Sequence, residues 1–281
     1  MWRASIRSKL RSTGTPLIMP ISAQLLRRAG AHGPIALVYH SIAPGSATPR
    51  WKWSVSIKRF QEQLDLLLDC GFEAVTISEL ARSTTSKNAK KVAITFDDGY
   101  ADNFAAVEEL AKRGMTATLF VVTGAIGGPA TWQTSDVARP MLSALQLRHI
   151  QTRGFEIGSH TVSHSRLTEL NQSDIKCELR GSRQQLEELI EFPVLSFAFP
   201  FGAYNDDLVA TVREAGYSAA CNTDSGWAMR DDDPFRIRRI SVFATDTVSA
   251  FSRKLLFADN QVEWTRVPRY LIRASLRKLS K

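Results

Sequence analysis

The sequence predicts an α/β fold in which a mostly parallel sheet curls into a barrel with helices outside it. Three observations carry the prediction. Short apolar runs of strand length alternate with helix-length segments that bear one apolar face, the pattern of a parallel sheet. Seven or so such units follow one another in a single run, which favours a barrel over an open sheet. The length of 281 residues, 44% hydrophobic and 23% charged, suits one α/β barrel and is too apolar for a disordered chain.

The elements read in order. Residues 35–40 (IALVYH) form an apolar run of strand length. Ser56 caps a helix with Phe60, Leu64, Leu67 and Leu68 on one face, and Gly71 ends it. Strands are expected over 73–77 and 92–96, with a polar loop over 83–91 between them. A helix over 102–113 stops at Gly114, and a strand follows over 116–122. After a glycine-rich loop at 124–128 comes a helix ending near Gly154, then a strand over 155–158. A long helix over 168–191 and strands over 194–199, 217–221 and 236–242 complete the set.

The formal charge of +8 is unevenly placed. The first acidic residue is Glu62 and the last is Glu263; ten Lys and Arg lie in 1–61 and six in 264–281. The segment 62–263 is therefore net acidic, which argues against a nucleic-acid-binding body. The division expected is a basic N-terminal arm over 1–30, a barrel over 31–250 and a basic C-terminal arm over 251–281. Trp2, Ile6 and Leu10 recur beside Arg3, Arg7 and Arg11, and Ile272, Leu276 and Leu279 beside Arg269, Arg273 and Arg277. Both patterns suit basic amphipathic helices on an anionic membrane surface or helices packed on the barrel.

No stretch approaches the roughly 18 apolar residues of a spanning helix. Leu17, Ile18 and Met19, bracketed by Pro16 and Pro20, make too short a run for a signal-peptide core. Cys70, Cys177 and Cys221 form neither a CxxC pair nor a disulfide framework. The expectation is a chain that is cytoplasmic or peripheral to the inner membrane rather than secreted. Oligomeric state is not legible.

Two motifs carry chemistry, and both fall where strands end, the place at which α/β barrels keep their active sites. Thr95-Phe96-Asp97-Asp98-Gly99-Tyr100 sets two carboxylates side by side at a glycine turn. Alone it reads as a simple Asp-Asp-Gly turn. Gly158-Ser159-His160-Thr161-Val162-Ser163-His164 spaces two imidazoles at i and i+4, which share a face if a helical turn begins there. That spacing suits one divalent cation, and an Asp-His-His set leaves coordination positions open, as a catalytic metal requires. One Asp can then bind metal while its neighbour stays free as a base.

Together these motifs resemble the polysaccharide deacetylase family, the NodB-homology domain, over roughly residues 33–245. The resemblance implies a distorted (β/α) barrel and metal-dependent removal of acetyl groups, mostly N-acetyl, from carbohydrates. It implies Asp97 as general base and Asp98, His160 and His164 as metal ligands. The backbone N–H of Tyr100 is the expected oxyanion donor. The metal expected is zinc, with nickel, cobalt or iron also compatible with these ligands.

Residues 197–204 (FAFPFGAY) look like the family's third motif, so that Pro200 and Phe201 wall the substrate groove. Many members carry there an Arg that orients the base; alignment on Pro-x-Gly places Ala198 at that position. The late Leu-x-His motif that supplies the acid is also missing, since no histidine follows His164. His32, His40 and His149 are left. An early Tyr-His pair resembles the exopolysaccharide deacetylase branch, which would assign the acid to His40; a satisfied structural histidine is the alternative. Trp227 is expected either in the sugar groove or in the core, and Trp51 and Trp53 on a substrate-gripping loop.

The function implied is hydrolysis of N-acetyl groups on N-acetylhexosamine units of an exopolysaccharide or a chitooligosaccharide of the nodulation-factor kind. Alternatives are a deformylase or deacetylase of a lipid-linked aminosugar, and a non-catalytic carbohydrate-binding barrel.

Overall fold

The computed structural model describes residues 20–29, 33–83, 90–130, 132, 139–261 and 263–268. Helix α1 (Ile21–Arg28) leads into strand β1 (Ile35–Tyr39), all five of whose residues are buried. A side sheet of β2 (Ser41–Ala43) and β3 (Ser54–Ser56) follows, then α2 (Ile57–Asp69), β4 (Glu73–Val75), α3 (Ile77–Arg82) and β5 (Lys91–Phe96). Next come α4 (Asn103–Lys112), β6 (Thr118–Val121), α5 (Ala144–Thr152), β7 (Glu156–Ser159) and α6 (Gln172–Ile190). The chain continues through β8 (Ser196–Ala198), α7 (Asp206–Glu214), β9 (Ala219–Cys221), β10 (Ile240–Ser241) and α8 (Val248–Phe257).

The main sheet has the order β10-β1-β5-β6-β7-β8-β9, and every pairing in it is parallel. β1 runs along the whole of β5 on one side. The other side of β5 is shared: β4 takes its first half, Glu73↔Lys91 to Val75↔Ala93, and β6 takes over at Thr95↔Thr118. The sheet curls until β9 meets the segment entering β10 through a single parallel bridge, Cys221↔Ile237. A sheet whose strands are covered on both faces needs continuous apolar runs, which is how β1, β5 and β6 read.

One buried cluster gathers the small residues Ala36, Ala93, Ala198, Ala219 and Cys221 with Phe120, Ile237, Val75, Ile77 and Leu80. Small side chains there leave room for one large group, and that group proves to be Arg239.

The structure departs from the sequence expectations at several places. The strand expected over 73–77 ends at Val75, because Thr76 and Glu79 form a reciprocal capping box that starts α3. The strand expected over 236–242 keeps only Ile240 and Ser241. The residues before it bond to a loop instead, with Arg238 N–H donating to the Ala228 carbonyl and Arg239 N–H to that of Asp224. Leu68 is exposed and Leu66 takes the buried place on α2. Helices α7 and α8 and the side sheet were not expected.

Both arm boundaries also move outward. α1 belongs to the body: Ser22 Oγ donates to the Ser249 carbonyl and accepts from Ser252 Oγ, both on α8. α8 itself buries Phe251, Leu255 and Leu256. The amphipathic repeats at 2–11 and 269–279 lie outside the described residues.

Candidate active site

The site forms at the C-terminal ends of the strands. Past β5 the chain turns through Asp97, Asp98 and Gly99, the latter two in the left-handed region at φ 74° and 86°. Only because Asp98 adopts that conformation do adjacent residues of an extended strand aim at one place. Glycine and aspartate are the residue types that adopt it at least cost.

The two histidines follow β7, but not on the helical turn the i,i+4 spacing predicts. The loop is irregular, with Thr161 and His164 at φ 70° and 60°. Thr161 Oγ1 accepts from the His164 N–H at 2.9 Å, and Glu178 of α6 accepts from the N–H groups of Val162 and Ser163 at 2.8 and 3.0 Å. Gly158 lets β7 approach β6, since a Cβ there would meet the Phe120 ring at 2.5 Å.

Asp98, His160 and His164 are all buried, and their ligand atoms lie within 4.8 Å of one another. Asp98 Oδ1 stands 3.5 Å from His160 Nε2 and 3.2 Å from His164 Nε2. His160 Nδ1 donates to the Ala198 carbonyl at 2.8 Å, which leaves the Nε2 lone pair of the neutral ring aimed at the carboxylate. A lone pair facing a buried carboxylate is repelled by it unless a cation or a proton lies between them. The donor set therefore fits a divalent metal, with the orienting contact metal-bound imidazoles need.

With a proton in place of a cation among these groups, burial pushes the Asp98 carboxyl up, but hydrogen bonds from His160 and His164 outweigh it and hold the carboxyl well below its ordinary range. Burial likewise pushes His160 down, and the Asp98 and Asp97 carboxylates lift it above its usual value. His164, less compensated, stays below.

Asp97 is held differently. Arg239, fully buried, grips both its oxygens: Nη1 to Oδ1 at 2.6 Å and Nη2 to Oδ2 at 2.8 Å. Nη1 also donates to Thr95 Oγ1 at 3.1 Å, and Nε to the Asn222 carbonyl at 2.9 Å. Burial raises the Asp97 pKa, and the Arg239 charge outweighs it, so the carboxyl sits below its ordinary value and is ionised at neutral pH.

Residues 84–220 match the family model for polysaccharide deacetylase. The chain carries a polysaccharide deacetylase domain. YxkH of Bacillus subtilis, named as a polysaccharide deacetylase, is 29% identical over 219 residues, 76% of this chain and 73% of its own. A chitooligosaccharide deacetylase of Sinorhizobium fredii is 29% identical over 134 residues, 47% of this chain and 56% of its own. Among solved structures, a polysaccharide deacetylase of Bacillus anthracis superposes with a TM-score of 0.65 at 25% identity, covering 78% of this chain and 68% of that one. The distorted-barrel architecture agrees with that fold.

Within the deacetylase domain, Tyr100 lies at the site; its buried hydroxyl hydrogen-bonds Asp98, and burial with that carboxylate raises its pKa. Pro200 is buried at the end of β8, and Phe201, at φ 59° and 54% exposed, sets its ring 4.7 Å from that of His164. Trp132 faces His164 at 4.8 Å. His40 ends β1 with its ring 4.6 Å from Trp53 and its carbonyl accepting from Asn103 Nδ2 at 2.6 Å. His40 Nδ1 is buried without a hydrogen-bond partner, and burial lowers its pKa against the opposing pull of Asp98 and Asp97. His149 packs on Phe104 on the outer helices, and His32 lies outside the described residues.

Trp227 is not in the groove. Its ring lies under Gly33, before the N-terminal end of β1, and Ala228 N–H bonds the Pro34 carbonyl there. The chain after β9 descends the barrel wall, which carries Trp227 to the end opposite the site. The residue that sequence reasoning missed is Arg239, which supplies from β10's approach the clamp expected at position 198.

Proposed function

We propose that this domain removes N-acetyl groups from N-acetylhexosamine units of a poly- or oligosaccharide, with a divalent cation held by Asp98, His160 and His164. The observation that carries the reading is the pairing of a converging Asp-His-His set with a second carboxylate, Asp97, clamped next to it. A carbohydrate-binding barrel has no need of that second group.

When bound, the cation supplies Lewis acidity toward an acyl oxygen and a water. Asp97, kept ionised and fixed in orientation by Arg239, accepts the proton of the attacking water. The Tyr100 N–H steadies the developing oxyanion. His40, at the end of β1, returns a proton to the departing amine. The faces of Phe201 and Trp132 beside His164 offer packing surface for sugar rings. Zinc is the metal such ligands most often hold, and nickel, cobalt and iron are also served by them.

The test is acetate release from chitooligosaccharides and from poly-N-acetylglucosamine, before and after chelation and metal re-addition. Acetate that vanishes with chelator and returns with metal supports the reading. Metal-loaded protein that releases acetate from neither substrate overturns it.

A further inference from the structure

The mouth of the site repeats one arrangement three times: an aromatic ring backs onto a site residue, and a cation stacks on that ring. The Arg139 guanidinium lies 4.0 Å over Trp51, whose ring stands edge-on to Tyr100 at 5.7 Å. The Lys52 ammonium lies 4.9 Å over Trp53, which faces His40. The Arg166 guanidinium lies 4.7 Å over Phe201, which faces His164.

These charges are poorly spent within the protein. Among the described residues no carboxylate forms an ion pair with Arg139 or Lys52, and Arg139 Nε is buried with no hydrogen-bond acceptor. The acid whose charge reaches Arg139, Asp102, is committed to Ser41 Oγ at 2.5 Å and to the Ile42 N–H. Arg166 has one exposed partner, Glu169, at 3.3 Å. An enclosed guanidinium N–H with no acceptor is costly unless a ligand supplies one. Aromatic stacking meanwhile holds each cation in place without neutralising it.

We infer that the substrate is an acidic glycan: carboxylate or other anionic substituents on sugars flanking the N-acetylhexosamine meet Lys52, Arg139 and Arg166 while the acetyl group lies at Asp97 and the metal ligands. This rests on the deacetylase reading above and names its substrate class. The three cations are specificity determinants and take no part in the chemistry. Lys52 and Arg166 are exposed and Arg139 half-buried, so their attraction is salt-sensitive and selectivity for the acidic glycan falls as ionic strength rises.

The experiment compares a neutral chitooligosaccharide with an oligosaccharide of equal length alternating glucuronate and N-acetylglucosamine, in metal-loaded full-length protein. Two readouts are taken: kcat/KM per acetyl group, and binding followed by tryptophan fluorescence, which needs no turnover. The ratio of acidic to neutral kcat/KM is expected to exceed about tenfold at low salt and to collapse toward unity near 0.5 M salt. Arg139→Gln with Lys52→Gln is expected to lower that ratio, and the affinity for the acidic oligosaccharide, by about tenfold.

Equal or better use and binding of the neutral substrate overturns the inference while leaving deacetylation standing. So does a double variant that loses both substrates alike. Absence of acetate from either substrate counts against the proposed activity, and the fluorescence titration still decides the preference for acidic glycans.

Discussion

Replacing Arg239 with methionine removes the cation but keeps much of the side-chain volume in a barrel interior of small residues. Four polar contacts disappear: two to Asp97, one to Thr95 and one to the Asn222 carbonyl. The Asp97 carboxylate is left buried with only the weaker pull of His160 and His40 against its desolvation. Breaking a buried pair by removing one partner costs about 3–5 kcal/mol. For a chain of this size that is a fall in Tm on the order of 10 °C.

The sign with pH follows from Asp97. In the native protein its pKa is depressed, so its contribution is fully present above the unfolded value near 3.9 and is lost as pH falls through the lower folded value. Without Arg239, burial, the largest influence, is opposed only by His160 and His40 and pushes the carboxyl up. The deficit of Arg239→Met should then shrink on acidification, as Asp97 takes up a proton in the folded variant.

The assay is a double-mutant cycle with Asp97→Asn, read by urea denaturation at neutral pH. The double variant should recover about 2 kcal/mol or more of the single variant's loss, because the amide carries no charge to strand. The acid limb of kcat/KM should also move to higher pH in Arg239→Met. A loss under about 1 kcal/mol, or a double variant no more stable than Arg239→Met, would refute the clamp as the source of Asp97's ionisation.

Three further outcomes are expected. Asp98→Asn and His164→Ala should each abolish stoichiometric retention of metal after desalting, measured by elemental analysis, with acetate release falling at least about 100-fold. His40→Ala should cost about 100-fold or more on an acetamido sugar yet spare hydrolysis of 4-nitrophenyl acetate, whose leaving group needs no proton; equal loss on both esters and amides would remove the acid role. The Lys112 ammonium, 2.6 Å from Glu109, with Arg113 at 2.7 Å, holds the Glu109 carboxyl at about 2 against the push of burial. Its stabilisation is complete above about pH 4.5 and is lost as pH falls through about 2, so urea midpoints of the native protein and Glu109→Gln should converge as pH drops across that window.

The basic ends give a separate expectation. Residues 21–28 pack on α8, so a clean truncation removes only 1–19 and 269–281. That protein should deacetylate soluble oligosaccharide at an unchanged rate while sedimenting less with anionic liposomes. Undiminished sedimentation would mean that the ends have no part in membrane contact.

Much of the barrel was readable because parallel strands covered on both faces must be continuously apolar, as 35–39 and 92–96 are. What escaped was set by local capping and long-range pairing. Thr76 and Glu79 close a capping box that ends a strand early, and no hydrophobic pattern reports that competition. The pair His160 and His164 was legible as a ligand set, but its backbone was not. Positive φ at Thr161 and His164, locked by Glu178 of α6, brings the rings together without a helical turn. Of the two places open to Trp227 the structure takes the core, and sequence could not choose because the short distance from the end of β9 says nothing of a segment that runs back down the barrel.

Arg239 shows where motif alignment stops and geometry takes over. The residue that must orient Asp97 is fixed by what can reach a buried carboxylate across the barrel, and 142 positions of sequence separate the two. With alanine at 198, the strand that usually carries the arginine contributes only its carbonyl, which instead orients His160. The interior volume left by Ala36, Ala93, Ala198 and Ala219 is then open to a long side chain from the other side. The run Phe235-Arg236-Ile237-Arg238-Arg239-Ile240 held the signal in its parity. In an extended segment, residues 237 and 239 share a face, and Ile237 on that face is fully buried. An arginine on the inward face of an extended barrel segment must find a buried carboxylate, and Asp97 is the buried acid next to the metal ligands that they do not claim. Moving the arginine back, as Ala198→Arg with Arg239→Ala, therefore tests whether orientation or position matters. Restored acetate release in that exchange, against its loss in Arg239→Ala alone, would show that the reaction requires the fork on Asp97 and is indifferent to the strand that delivers it.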